Sequence, residues 1–553
     1  MRRLALTLLA FALAAPAQTP APHTYRVAGT VVSAIDNHPL QRASIQLLNP
    51  ENQAPIQTTT SDEYGRFAFT GVPPGNHELQ GTATNYLPTF YDEHEGFNTG
   101  IVTGSGVDTE SLVLKLHPEA IIAGTVVDES AEPIQNAAVQ LFRQSQSFGD
   151  GRLVLAGNFN TDDLGHFELP RLVAGTYFLA ITATPWYAIH PDPAQAAIGV
   201  AAAQRDRRGG RAMGPNFGFT DAIDPALDVA YPSTFYPGTT DPTRASPILL
   251  HGGESLDLHF QLSPLPAVTL TFPSATQTTG RQTFYPLLTA SFRGQGLPVM
   301  MDLRQTPTQT VIVGIAPGDY LLTDRATFSQ AGSGIPIHVG DHSTEAALPP
   351  APDMAHVHVV LQSDAKIPPR TQVVLFRQDR EASASQPINE KNEATLDASP
   401  GDYSFAVFGE QRSLAVVQVQ SGDRRLPSNR IHLSAHDSAF FTVTVTLRTH
   451  TLKGIARKDG KPCPGAFILL FPLNEAGDIR TSFRQQSDLD GSFDLPGLAP
   501  GAYTLLAIDN AWDLDWQHQG ALSRYLPTAL TVHIPDSADK VQHLSNPVAV
   551  QPR

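Results

Sequence analysis

An Asp, a Gly three residues on, a Phe two beyond it and a second Gly eight beyond the Phe recur at identical offsets three times. They read Asp62, Gly65, Phe67 and Gly75, then Asp162, Gly165, Phe167 and Gly175, then Asp488, Gly491, Phe493 and Gly501. A spacing kept to the residue across hundreds of positions marks a duplicated supersecondary unit, so the chain folds as an array of similar small bodies. The residue types point to strands. The Asp carboxylate accepts backbone N–H bonds while the Gly takes the positive φ that closes a hairpin. After it, Phe67 and Phe69, Phe167 and Leu169, and Phe493 and Leu495 fall on one face of a strand, which is predicted to be core.

Each copy opens with an apolar strand, Val27 to Val32, Ile121 to Val127 and Leu452 to Ala456. A second follows a Pro and an Ala: Ser44 to Leu48, Ala138 to Phe142 and Phe467 to Phe471. The Pro before the second Gly, as in Pro74-Gly75 and Pro500-Gly501, suits the central pair of a type II turn. Two further segments carry only this closing half, Ala316-Pro317-Gly318-Asp319-Tyr320 and Ser399-Pro400-Gly401-Asp402-Tyr403, and are expected to be diverged copies. The expected units are 24–117, 118–264, 265–351, 352–447 and 448–553. At 553 residues the chain exceeds a single core, and a domain for about every 100 to 150 residues gives four or five. Only 16% of residues are charged, while Pro (46) and Gly (42) abound, which favours short strands and turns over helices. The predicted class is all-β, a tandem array of about five Ig-like or transthyretin-like β-sandwich domains.

The formal net charge of −16 opposes binding to nucleic acid or anionic lipid surfaces. Met1-Arg2-Arg3, the apolar run Leu4 to Ala14 and the small residues Ala15-Pro16-Ala17 have the form of a secretory signal peptide, 1–17. The run is too short to span a bilayer, and no later stretch reaches the roughly 20 apolar residues of a membrane helix. The ending Val550-Gln551-Pro552-Arg553 lacks the terminal aromatic strand of an outer-membrane barrel. Export to the periplasm, the outer-membrane surface or the medium is expected. The sole cysteine, Cys463, permits no internal disulfide and reads as a small buried side chain.

Taken together, Gly-x-Val-Val, Pro-x-x-x-Ala, Asp-x-x-Gly-x-Phe and Pro-Gly-x-Tyr resemble the carboxypeptidase regulatory-like domain, a seven-stranded transthyretin-like sandwich related to collagen-adhesin B-type repeats. The resemblance covers the first, second and fifth units, and the final hairpin of the third and fourth. It implies an accessory domain of exported peptidases, carbohydrate-active enzymes or outer-membrane receptors, in a fold group associated with carbohydrate binding. Fold alone does not transfer function.

No catalytic set emerges from the sequence: Gly-x-Ser-x-Gly, Walker and Cys-x-x-Cys motifs are absent, and no enzyme activity, cofactor or metal is assigned. His342-Ser343-Thr344-Glu345 matches the His-x-x-Glu of zinc carboxypeptidases but lacks the wider ligand set. His356 and His358 share a strand face without an obvious third ligand. Asp488-Leu489-Asp490-Gly491 has part of a calcium-loop pattern, which turn capping explains equally. The Lys–Asn cross-link of some adhesin repeats needs a Lys on the first strand, available only as Lys453 or Lys458.

Two features exceed the scaffold. An insertion at 188–230 carries Arg205-Asp206-Arg207-Arg208-Gly209-Gly210-Arg211, either an unstructured loop or a grip for an anionic partner or neighbouring protomer. Aromatic residues, Trp186, Tyr187, Tyr236, Trp512 and Trp516 with Phe90-Tyr91, follow the last hairpin of their units. They either stack on sugar rings or close the sandwich ends and pack between units. The expected function is non-catalytic, either carbohydrate binding at the cell envelope or a spacer or protein-interaction role with no small ligand. The expected partner is thus a polysaccharide or an envelope protein.

Overall fold

In the computed structural model, the described residues are 23–104, 106–145, 151–190, 225–273, 286–305, 309–324, 335–345, 354–377, 383–410, 413–473, 481–518 and 520–553. The expected leader 1–17 and the arginine cluster at 205–211 lie outside them. Among the described residues, five double-sheet β-sandwiches follow one another, all built on one plan.

In the first unit, strand Tyr25–Ser33 pairs antiparallel with Arg66–Val72 and parallel with Leu112–Leu116, making one sheet. In the other, Ser44–Leu48 lies between Pro55–Thr60 and Gly75–Thr82. The later units repeat both relations. Ala120–Val127, Val268–Pro273, Ala355–Ser363 and His450–Lys458 each take an antiparallel and a parallel neighbour. Ala138–Gln144, Pro286–Phe292, Gln372–Arg377 and Phe467–Pro472 each lie between two antiparallel partners. In the fourth unit Ser413–Ser421 pairs into both sheets and joins them.

The residues expected to face inward do so: Phe67, Phe69, Phe167, Leu169, Phe493 and Leu495 are all buried. The turn before them is held the same way in each copy. Gly65, Gly165 and Gly491 sit at φ +73°, +70° and +80°, and their carbonyls accept from Val31, Val126 and Ala456 of the opening strand. A Cβ on these glycines would lie 2.5–2.6 Å from the carbonyl oxygens of those three residues. Both backbone conformation and space therefore require Gly. The residue before each Asp adds a buried hydroxyl. Ser61, Thr161 and Ser487 accept from the amides of Ala43, Ala137 and Ala466 and donate to the carbonyls of Leu40, Ile134 and Cys463.

The closing hairpin has its own lock, which links all five units. Tyr177, Tyr320, Tyr403 and Tyr503 donate their phenolic O–H to the carbonyl four residues earlier, at Val173, Ala316, Ser399 and Ala499. In the first unit His77 takes the place, with Nε2 3.1 Å from the Pro73 carbonyl. Burial raises the Tyr177 phenol and pushes Tyr320 up to about 12. The type II turn expected at Pro-Gly is not formed. Gly75, Gly175, Gly401 and Gly501 have φ between +137° and +159° and begin the next strand. The bend thus passes directly into extended backbone instead of through the left-handed helical region.

Across the outer faces the sandwiches join. Phe292 of the third unit meets Phe142, Phe178 and Phe235 of the second, with ring centroids 4.7–5.9 Å apart, in a core shared by both units. Burial of such rings supplies the main attraction, about 25 cal/mol for each Å² of apolar surface. Arg448, between the fourth and fifth units, pairs with Asp364 on one side and Asp536 on the other. None of the helices among the described residues is long and apolar enough to cross a membrane.

Candidate functional site

The most elaborate constellation joins the first unit to the last. Between Ile508 and Leu530, the connection in unit five folds over the outer face of its own sheet. There Ala511, Trp512, Trp516, Leu522 and Tyr525 cover Phe467, Leu469 and Phe471. Unit one completes the cover: the Trp512 ring stacks with His94 and Phe97, both at 5.5 Å. Its Nε1 donates to the Gly465 carbonyl at 3.3 Å. Trp512 is 9% exposed and Trp516 2%. The two therefore present no face to solvent, correcting the expectation of a stacking platform there. An apolar sheet face beside them offers more buried area than water does.

Polar groups line the same contact. Buried Gln486 donates through Nε2 to the Asp92 carbonyl at 2.5 Å and to Thr99 Oγ1 at 2.8 Å. Asp488, the Asp of the repeated turn, accepts from the Gly100 amide at 3.0 Å and from Asn76 Nδ2 at 2.7 Å. The Leu489 amide donates back to the Gly100 carbonyl. A Cβ on Gly100 would stand 2.4 Å from Asn76 Oδ1 and 2.5 Å from Asp488 Oδ1, so any other residue there requires these two side chains to shift from their bonded positions. Desolvation pushes the Asp488 carboxyl up to about 6, against the bonds from Gly100 and Asn76 and with the repulsion of Asp490 and Asp494.

The other expected aromatics gather at one end of unit two. Trp186 is 82% exposed, with Tyr187 edge-on to it at 5.8 Å. Tyr187 and Tyr231 both donate to Glu129. Burial, then Glu129, pushes the Tyr187 phenol up to about 12 and raises Tyr231 as well. Tyr236 is half-buried and packs edge-on against Phe260. Of the five aromatic side chains expected to be available for stacking, Trp186 alone is exposed. Beside it, Ile189 and Leu227 close the base of the insertion by a backbone bond, and His190 pairs with Asp228 at 2.9 Å.

The remaining candidates resolve into local contacts. His356 pairs with Asp397 across strands at 2.6 Å, and His358 stacks on Phe440. His342 and Glu345 are exposed at the end of unit three. Lys453 and Lys458 form surface ion pairs with Asp494 and Asp509. Cys463 is buried, which raises its thiol. Among the described residues, no three His, Cys, Asp or Glu side chains converge on a point that could hold a metal. A cleft of about 480 Å³ lies between units four and five, walled by Gln418, Arg425, Asn429, Leu473, Thr481 and Tyr503.

The family model for the carboxypeptidase regulatory-like domain matches residues 26–102 and 121–197, the spans that carry the first two copies of the turn and lock. Two tandem segments of the chain are thus similar to the carboxypeptidase regulatory-like domain. In the second of these lie Trp186 and Tyr187, while the first supplies Asn76, Asp92, His94 and Gly100 to the contact with the last unit. No curated protein matches the chain. Among solved structures it is similar to the Bacillus anthracis TIE protein, at 10% identity over 97% of this chain and 75% of that one, TM-score 0.17. It is also similar to a streptococcal ancillary pilin, at 12% identity over 52% and 100%, TM-score 0.18. A third is GBS52, the minor pilin of Streptococcus agalactiae, at 11% identity over 44% and 97%, TM-score 0.19.

Proposed function

We propose that this chain is a non-catalytic, exported structural or interaction protein of the cell envelope. Its regulatory-like domains and their diverged copies, at about 24–117, 118–264, 265–351, 352–447 and 448–553, act as a self-braced scaffold. The observation that carries this reading is the docking of the last unit on the first. Aromatic and polar side chains that a ligand-binding array would leave open are spent there on holding the chain to itself. The side chains that recur between copies likewise serve turns, strand ends and cores. Small-angle X-ray scattering on the purified chain tests it. Dimensions of an array whose ends meet support the scaffold, and those of an extended string of five units overturn it.

A second reading, carbohydrate binding, is favoured by one feature, the exposed Trp186 ring beside Tyr187 and Glu129. A free indole face with hydroxyl and carboxylate groups at its rim has the makings of a sugar-stacking site. Retention on an envelope polysaccharide that is lost in Trp186→Ala, with melting unchanged, supports this reading. No retention on any glycan from a folded sample removes it.

A further inference from the structure

We propose that the contact between the first and last units is an acid-tightened clasp, with the Asp488 carboxyl as its sensor. The inference rests on the reading that the array closes on itself. In the Asp62 and Asp162 turns the carboxylate Oδ1 accepts the amides two and four residues on, at Tyr64 and Arg66 and at Leu164 and His166. In unit five the corresponding duty passes to Asp490, which accepts from Ser492. The Asp488 side chain is thereby released from its own turn and placed on Gly100 and Asn76 of another unit.

The charged surroundings explain why a proton stabilises the closed form. Asp490 of its own turn and Asp494 of the following strand repel a charge on Asp488, and Asp494 is partly offset by Lys453. From unit one, the loop carries Asp92, held by Thr99 and Gln486, and His94, stacked on Trp512. The neighbouring strand offers neutral Asn76, with Glu78 engaged by Gln53. No basic side chain among these pairs with Asp488. When protonated, Asp488 keeps its Oδ1 for the Gly100 amide. Rotation of the Asn76 amide, whose two ends are interchangeable in shape, presents a carbonyl to accept the new O–H.

The sign follows from linkage. A carboxyl that titrates near 6 when closed and near its ordinary 3.8 when open binds a proton more strongly in the closed form. Its contribution to closure is complete below the open-form value and is lost as pH rises through about 6. Closure weakens by at most roughly 100-fold between acid and neutral pH. This is opposite in direction to the usual acid loosening of carboxylate contacts.

The test measures energy transfer between dyes on Glu51→Cys in unit one and Ala538→Cys in unit five, in the full chain carrying Cys463→Ser, from pH 3.5 to 8. High transfer in acid that begins to fall above the open-form value and levels off just above 6 is expected. Asp488→Asn, which has the same shape and no charge, is expected to keep transfer high throughout, and His94→Phe, which keeps the stack, to leave the fall in place. High transfer independent of pH, or a fall that survives in Asp488→Asn or moves away in His94→Phe, overturns the clasp. Low transfer at every pH overturns closure itself.

Discussion

The turns at Asp62 and Asp488 share spacing, backbone bonds and a left-handed glycine, yet their carboxylates do different work. Asp62 caps its own turn. Asp488 reaches a unit about 400 residues away in sequence, where Gly100 leaves room for it. The contrast teaches how a duplicated module acquires an interface without losing its fold. The backbone of the turn is over-determined by Gly491 and Ser487, and Asp490 is at hand to cap, so one side chain can be freed for a neighbour.

Breaking the shared parts produces the largest effects. Trp512→Ala removes the ring that both sheet and first unit cover and is expected to cost about 3–5 kcal/mol, read as a lowered chemical-denaturation midpoint. Gly491→Ala and Gly65→Ala are each expected to destabilise their own unit by roughly 3 kcal/mol, since a methyl meets the opening strand and φ is positive. Equal losses in both would show the turns to be alike in backbone terms. Ser61→Ala and Ser487→Ala leave a buried amide and carbonyl unpaired and are expected to cost about 1–3 kcal/mol each, again equally.

Smaller substitutions separate the two turns. Asp62→Asn weakens a capping carboxylate and is expected to lower the stability of unit one by about 0.5–1 kcal/mol at pH 7. Asp488→Asn is expected to leave the fifth unit's unfolding unchanged while removing the pH dependence of closure. Trp186→Ala, at an exposed site, is expected to stay within about 0.5 kcal/mol of the parent, in contrast to Trp512→Ala. Thermal unfolding of the two variants side by side checks that comparison.

Much of the fold was legible because the turn signature and alternating core residues are local. The spacing of Phe67, Phe167 and Phe493 from their turns was enough to disclose the inward faces. The fourth unit hid its turn through chemistry that does the same job with other residues. There Asn389 accepts from Lys391 and Glu393, Asn392 takes φ +61°, and its carbonyl accepts from Leu361. Asn-Glu-Lys-Asn thus replaces Asp-x-x-Gly, since Asn both caps and tolerates a positive φ. The hydroxyl at Ser61, Thr161 and Ser487 repeats as visibly as the Asp and was a signal that could have been read. The seam between first and last units was not legible, because nothing local to Trp512 or Asp488 encodes which distant surface covers it. For the same reason the aromatics of the candidate site looked alike in sequence, although Trp186 is exposed and Trp516 buried.

The most direct test of the account is amide hydrogen exchange at Leu489 in the full chain at pH 5, since that amide donates to the Gly100 carbonyl of the first unit. Exchange that is slow in the parent and fast in Gly100→Ala, where the new methyl forces Asn76 and Asp488 apart, is the predicted result. Exchange in the parent as fast as that of an exposed loop would contradict the claim that the last unit is docked on the first.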